Sequence, residues 1–215
     1  MQESTPKEQI LTKVRNALIE KIDNPYQALD FSGDIIKVDD PEEEPEVIFG
    51  QEFIKAGGFF IYCENERAFI DNLANLMEKM NWSRLWCQNK RISSILSAAE
   101  IPYVSTHPTD NSLCVSLTSC EALIAATGTV VVSDTDAGSR EIFSRADVHI
   151  VMAFASQVKS TIKTAMQELN KKYPTSLPTQ LTFITGPSRS NAVEQQFIKG
   201  VHGPKAIFVF LTDDT

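Results

Sequence analysis

The sequence predicts an α/β fold: an open, mostly parallel sheet with helices on both faces, preceded by an N-terminal helix. Three observations predict it. Short β-rich runs recur at 58–62, 84–87, 113–117, 129–132, 148–152, 181–184 and 206–211. Apolar residues at helical spacing separate several of them, at 66–80, 90–99 and 156–169. Strands alternating with helices build βαβ units, whose parallel sheet must be covered on both faces. Finally, 215 residues with 42% hydrophobic and 22% charged side chains suit a single globular domain. A chain of that length buries roughly 70% of its unfolded surface and folds without staples.

The elements follow in order. Thr5 or Ser4 can cap a first helix, with Pro6 in its first turn and Ile10, Leu11, Val14, Leu18 and Ile22 along one face. Asn24 and Pro25 end it. Residues 30–46, DFSGDIIKVDDPEEEPE, read as an exposed acidic connection, a solvated surface rather than a metal site. Residues 1–46 are thus expected to form a helix and linker, and residues 47–215 the α/β domain. Within it, Ala68, Phe69, Leu73, Leu76, Met77 and Met80 mark a clear amphipathic helix. A further helical run at 121–126 leads into Thr127-Gly128-Thr129 and the next strand.

Charge and composition exclude several classes. A net charge of −8 argues against broad nucleic-acid binding, which needs a basic face, but leaves room for a small basic pocket. The polar amino terminus lacks the apolar core of a secretory signal, and no run reaches the roughly 18 apolar residues of a membrane span. A cytoplasmic protein is the expectation. Cys63, Cys87, Cys114 and Cys120 are spaced 24, 27 and 6 residues apart, which fits no zinc or iron–sulfur pattern. They read as buried free thiols, so neither a metal nor a cofactor is expected on this chain.

Three segments could carry chemistry. In Thr127-Gly128-Thr129 the glycine permits either a tight reversal before a strand or close approach of a ligand. The loop at 133–141 holds Asp134, Asp136 and Arg140; a guanidinium there can grip a carboxylate or phosphate, or simply form a surface ion pair. The third segment, GPSRSNAVE at 186–194, follows a β run. Ser188, Ser190 or Asn191 can cap a helix expected to continue through Phe197 and Ile198. The free N–H groups of such a helix start, with Gly186 beside it and Arg189 adding charge, suit a small anion. Glu194 can reach back to the cap, act as acid or base, or face solvent. His202, between Gly200 and Gly203-Pro204, can shuttle a proton or serve the loop's structure. His107 lies in a Thr-His-Pro turn and His149 in an apolar strand, neither at a metal-ligand spacing. No phosphate-binding glycine loop, dinucleotide fingerprint or nucleophile elbow occurs.

The words TGTVVV, GPSRSNAVE and GVHGP, in that order across 113–211, resemble the LUD domain of the lactate utilization protein C type. The resemblance implies a NagB/RpiA/CoA-transferase-like open α/β fold over 47–215. It further implies a part in oxidising L-lactate to pyruvate, beside partner subunits that carry iron–sulfur centres. Family members often have Glu immediately before TGT, where this chain has Ala126. They also often have Asp two places before the Glu of the second word, where this chain has Ala192. Losing both carboxylates weakens any acid/base mechanism carried over from the family. The leading expectation is therefore an accessory component that binds a small anionic ligand or the iron–sulfur partners. The alternative is a stand-alone enzyme for a sugar phosphate or acyl-CoA, with Glu194 or His202 as acid/base.

Overall fold

A computed structural model describes residues 5–19, 43–108, 113–191, 197–200 and 203–214. The chain divides into two units, Met1–Ile35 and Ile36–Thr215. The first contributes helix α1, Pro6–Ile19. The Thr5 hydroxyl accepts from the Glu8 backbone N–H at 3.4 Å, and the Glu8 carboxylate accepts from Thr5 N–H at 2.8 Å. That reciprocal pairing is a capping box, and it explains why the helix starts where the sequence predicts.

The second unit is built on a six-stranded parallel sheet. Its strands are β1 (Phe59–Cys63), β2 (Leu85–Trp86), β3 (Tyr103–Val104), β4 (Val115–Thr118), β7 (Val148–Phe154) and β12 (Ala206–Thr212), in the order β1-β12-β7-β4-β2-β3. The central strands β4, β7 and β12 are nearly continuous runs of buried side chains, as a sheet covered on both faces requires. Helices α3 (Glu66–Met80) and α4 (Lys90–Ala98) cover one face, pressing Phe69, Leu73, Met77, Ile92 and Leu96 onto Leu117, Ile150, Met152 and Phe210. Asn65 and Asn89 cap them, accepting from Ala68 and Ile92 N–H at 2.9 and 3.1 Å.

The other face is covered differently. Helix α2 (Pro45–Lys55) supplies Phe49 and Phe53. Beside it lies a second sheet of β5 (Ala122–Ile124), β6 (Thr129–Ser133), β8 (Val158–Lys159) and β9 (Leu181–Ile184), ordered β8-β5-β6-β9. Leu123, Val130 and Val132 of that sheet meet Val151, Ala153, Val209 and Leu211 of the large one. Its outer side, Ala122, Ile124 and Val131, packs on Ala165 and Leu169 of α6 (Ile162–Lys172).

Several local expectations give way to tertiary pairing. The predicted helical run at 121–126 is strand β5 plus one 3-10 turn, because Ala122–Ile124 pairs antiparallel with Val131–Thr129. The helix expected from 156 begins only at Ile162, capped by Thr161; residues before it form a 3-10 turn and β8. The loop at 133–141 contains a short helix, α5 (Asp134–Ala137), capped by the Ser133 hydroxyl at 3.0 Å from Asp136 N–H. Most consequentially, the helix expected to run through Phe197 and Ile198 is replaced there by strand pairing. Strands β10 (Arg189–Asn191) and β11 (Phe197–Lys199) pair antiparallel, with Ser190 opposite Ile198.

Candidate functional site

Two of the motif segments meet the C-terminal end of α2, and the third joins them through Ser188. Gly128 adopts φ +56°, and an added Cβ would sit 2.3 Å from the Phe53 backbone nitrogen. Helix α2 therefore rests directly on the Thr-Gly-Thr turn, and this glycine is required by both conformation and close approach. The Thr129 hydroxyl lies 2.7 Å from those of Thr127 and Thr185. That chain of hydroxyls ties the first motif to the residue preceding Gly186. Gly186, at φ +74°, meets α2 as well: a Cβ there would fall 2.3 Å from the Ala56 carbonyl oxygen. The Arg189 guanidinium donates to the same carbonyl. It thereby serves an orphan acceptor at a helix C-terminus, where the macrodipole favours a cation.

The second motif joins the third through the backbone. Ser188 N–H donates to Pro204 C=O at 2.9 Å, and Gly200 N–H donates to Ser188 C=O at 3.1 Å. Gly203, at φ +139°, brings its α-carbon against the Ser188 side chain. A cleft of about 430 Å³ opens there. Ser144, Thr182, Thr185 and Ser188 provide hydroxyls along it, Arg189 a charge, and Phe143, Phe183 and Ile207 apolar walls. Ile207 lies at the start of β12, so this cleft stands at the N-terminal edge of the parallel sheet.

Most of the residues read from the sequence thus meet in one region: Thr127, Gly128, Thr129, Gly186, Ser188, Arg189 and Gly203. The proposed anion site on a helix start is corrected, however. Residues 189–191 and 197–199 are strands, so among the described residues no helical N–H groups follow Ser188. The side chain of Ser190, and Glu194 and His202 entirely, lie outside the described residues. Arg140 is elsewhere. It pairs with Asp134 at 3.2 Å and donates to the Thr179 hydroxyl at 2.6 Å, while Thr179 donates to Asp134. The Thr179 hydrogen bond, joined by those from Gln180 N–H and Arg140, lowers the Asp134 pKa despite some desolvation. Arg140 thus forms the ion pair that the sequence allowed.

A cluster at the opposite edge of the sheet went unread in the sequence. The side chain of Glu121, just past β4, is fully buried. It accepts from Ser133 at 2.5 Å, Lys172 at 2.7 Å and Tyr173 at 2.8 Å. Burial pulls the Lys172 pKa down, but its bond to Glu121 outweighs that and leaves it raised. Burial, then Glu121, raises Tyr173. Lys172 and Tyr173 lie just past the helical run expected at 156–169, and nothing in a linear sequence pairs them with a residue 51 and 52 positions earlier. Half-buried Asp136, its carboxyl pushed up mainly by desolvation, lies nearby. No group of three side chains suited to a metal ion occurs among the described residues. The four cysteines are buried free thiols. No helix among the described residues is long and apolar enough to cross a membrane.

Comparison with known proteins locates this architecture. Residues 108–212 match the LUD domain. Lactate utilization protein C of Anoxybacillus flavithermus is 29% identical over 100 residues, covering 46% of this chain and 44% of the relative. That of Geobacillus thermodenitrificans is 31% identical over 96 residues, covering 43% and 40%. The matched stretch is therefore less than half the length of either relative. The crystal structure of a DUF162 family protein from Deinococcus radiodurans shares the fold, with a TM-score of 0.59 and 17% identity over 79% of this chain and 96% of that one. Residues 108–212 are thus similar to the LUD domain and to lactate utilization protein C, on a fold shared with the DUF162 family protein.

Proposed function

We propose that this chain is an accessory component of an L-lactate oxidation system, working beside iron–sulfur partner subunits, and that the cleft beside Arg189 takes up a small anion. The name shared by the relatives supports the setting. One observation carries the site: Gly186–Arg189 and Gly203-Pro204 line one cleft beside a guanidinium, and the Thr-Gly-Thr turn is tied to its edge through the Thr129 and Thr185 hydroxyls. Arg189 has five N–H donors and spends one Nη2 bond on Ala56, so further donors remain for a carboxylate or phosphate. The surrounding hydroxyls and apolar walls fit a small carboxylate with a short carbon body.

The test is complementation of lactate-dependent growth, with thermal-shift titration of the purified chain against L-lactate, pyruvate and phosphate. A bound anion raises the melting temperature by mass action. Ser144→Trp fills the cleft without touching the Ala56 contact, and Arg189→Lys keeps the charge. The expected result is loss of growth and of the thermal shift in Ser144→Trp, and partial retention of both in Arg189→Lys. Native growth and an unchanged shift in Ser144→Trp and in Arg189→Ala would remove the cleft from the function.

A further inference from the structure

The parallel sheet has a second cleft at its other end. Past the C-termini of β1 and β12 lies a groove of about 630 Å³. Val47, Phe60, Ala155 and Leu211 form an apolar floor, while Glu44, Glu46, Asp213 and Tyr62 stand on its rim. In parallel α/β sheets this carboxyl edge is the usual place for a ligand. With β12 seven residues long, it lies on the order of 20 Å from the motif cleft.

Two of the rim carboxylates have no internal partner among the described residues. Glu44 and Glu46 have no hydrogen bond or ion pair from their carboxylates among the described residues, and Glu46 is half-buried. Asp213 accepts from the Tyr62 hydroxyl at 3.3 Å. The adjoining Asp214 accepts from Ser156 N–H and hydroxyl at 3.0 and 2.6 Å. Nearby Lys159 donates its ammonium to the Ser156 carbonyl. Placement at the start of α2 accounts for negative charge at Glu46, since the macrodipole favours it. It does not account for Val47 and Tyr62, which stand 44% and 53% exposed beside those carboxylates. An occupant that covers the apolar floor and brings cations to the rim satisfies both.

We propose that this groove docks a basic, partly apolar segment of a partner protein, a stretch in which Lys or Arg flanks an apolar side chain. A small polyamine would meet the carboxylates but leave the floor wet. A second copy of this chain would bring another surface from a molecule of net charge −8 against an acidic rim.

The experiment titrates the purified chain with a short synthetic peptide alternating lysine and leucine, followed by calorimetry and by backbone amide shifts. An alternating glutamate–leucine peptide and spermidine are run beside it. The lysine–leucine peptide is expected to bind, to weaken with salt, and to shift amides around Val47, Tyr62 and Asp213. Reversing the rim with Glu44→Lys and Glu46→Lys should cost about tenfold or more in Kd. Tyr62→Ser, an exposed change that leaves the fold intact, should weaken binding through the apolar half. Glu168→Lys, whose carboxylate pairs with Lys171 on α6, should leave binding unchanged. Equal weakening by Glu168→Lys, or none from the rim and Tyr62 variants, would overturn the groove as the docking surface. Spermidine binding as tightly as the peptide would replace the protein partner with a small cation. Concentration-dependent dimerisation abolished by the rim variants would replace it with a second copy.

Discussion

At the scale of single residues, the least forgiving positions are those where backbone meets backbone. Gly128 combines a left-handed φ with a contact that leaves no room for a methyl group against α2. Gly128→Ala should therefore cost about 2 kcal/mol or more, adding the conformational penalty to overpacking. Urea denaturation of the variant checks this. His149 makes a second residue-scale prediction. It is fully buried, its Nε2 lies 2.8 Å from the Thr118 hydroxyl, and burial alone drives its pKa down to about 3. Its folded pKa is below the unfolded value near 6.5, so the unfolded chain binds the proton more readily. The resulting stability is fully present above about pH 6.5 and is lost as pH falls toward 3. By pH 5 the loss should reach about 2 kcal/mol from this side chain. His149→Gln, which keeps a partner for Thr118, should flatten the stability profile between pH 6.5 and 5. An unchanged slope would assign that acid sensitivity to other groups.

At the scale of elements, α2 and α6 are held by polar anchors as well as by their apolar faces. Arg189→Ala should free the Ala56 carbonyl and cost about 1 kcal/mol, with Arg189→Lys recovering part of it. For α6 the anchor is buried Glu121. Glu121→Ala leaves the Ser133 and Tyr173 hydroxyls and the Lys172 ammonium without their acceptor, so it should destabilise more than Lys172→Ala. Lys172 is half exposed and water can replace much of what it loses. Chemical denaturation of the two variants gives the order directly. These anchors also mark where the sequence was legible. The amphipathic helix at Phe69, Leu73 and Met77 and the apolar strands at Val148 and Ala206 are local periodicities, and they stand where expected. The hairpin at Arg189 and Ile198 and the strand at Leu123 are long-range pairings that local propensity does not contain. Helix α2 was missed although Pro45, Phe49 and Phe53 carry its signal, because the acidic run before it reads as linker. The glycine words stand where backbone packs closely on α2, a long-range contact that a linear sequence does not contain.

At the scale of the whole domain, one sheet serves two cores. Cys63 and Cys87 lie in the core under α3 and α4, and Cys114 and Cys120 in the core under α2 and the smaller sheet. Burial raises the thiol pKa of Cys63, Cys87 and Cys120 above the ordinary range, which slows reaction further. A thiol reagent at neutral pH should therefore find no fast-reacting cysteine in the native protein and four after unfolding. The two cores share β7 and β12, whose alternate side chains point into one and then the other. Loss of either core strips one face of the same strands, so neither should persist alone. Labelling rates for the two pairs, followed by mass spectrometry across a urea series, should converge on one free energy of opening. Faster labelling of Cys114 and Cys120 at low urea would mean instead that α2 and the smaller sheet open as a separate unit, carrying the motif cleft with them.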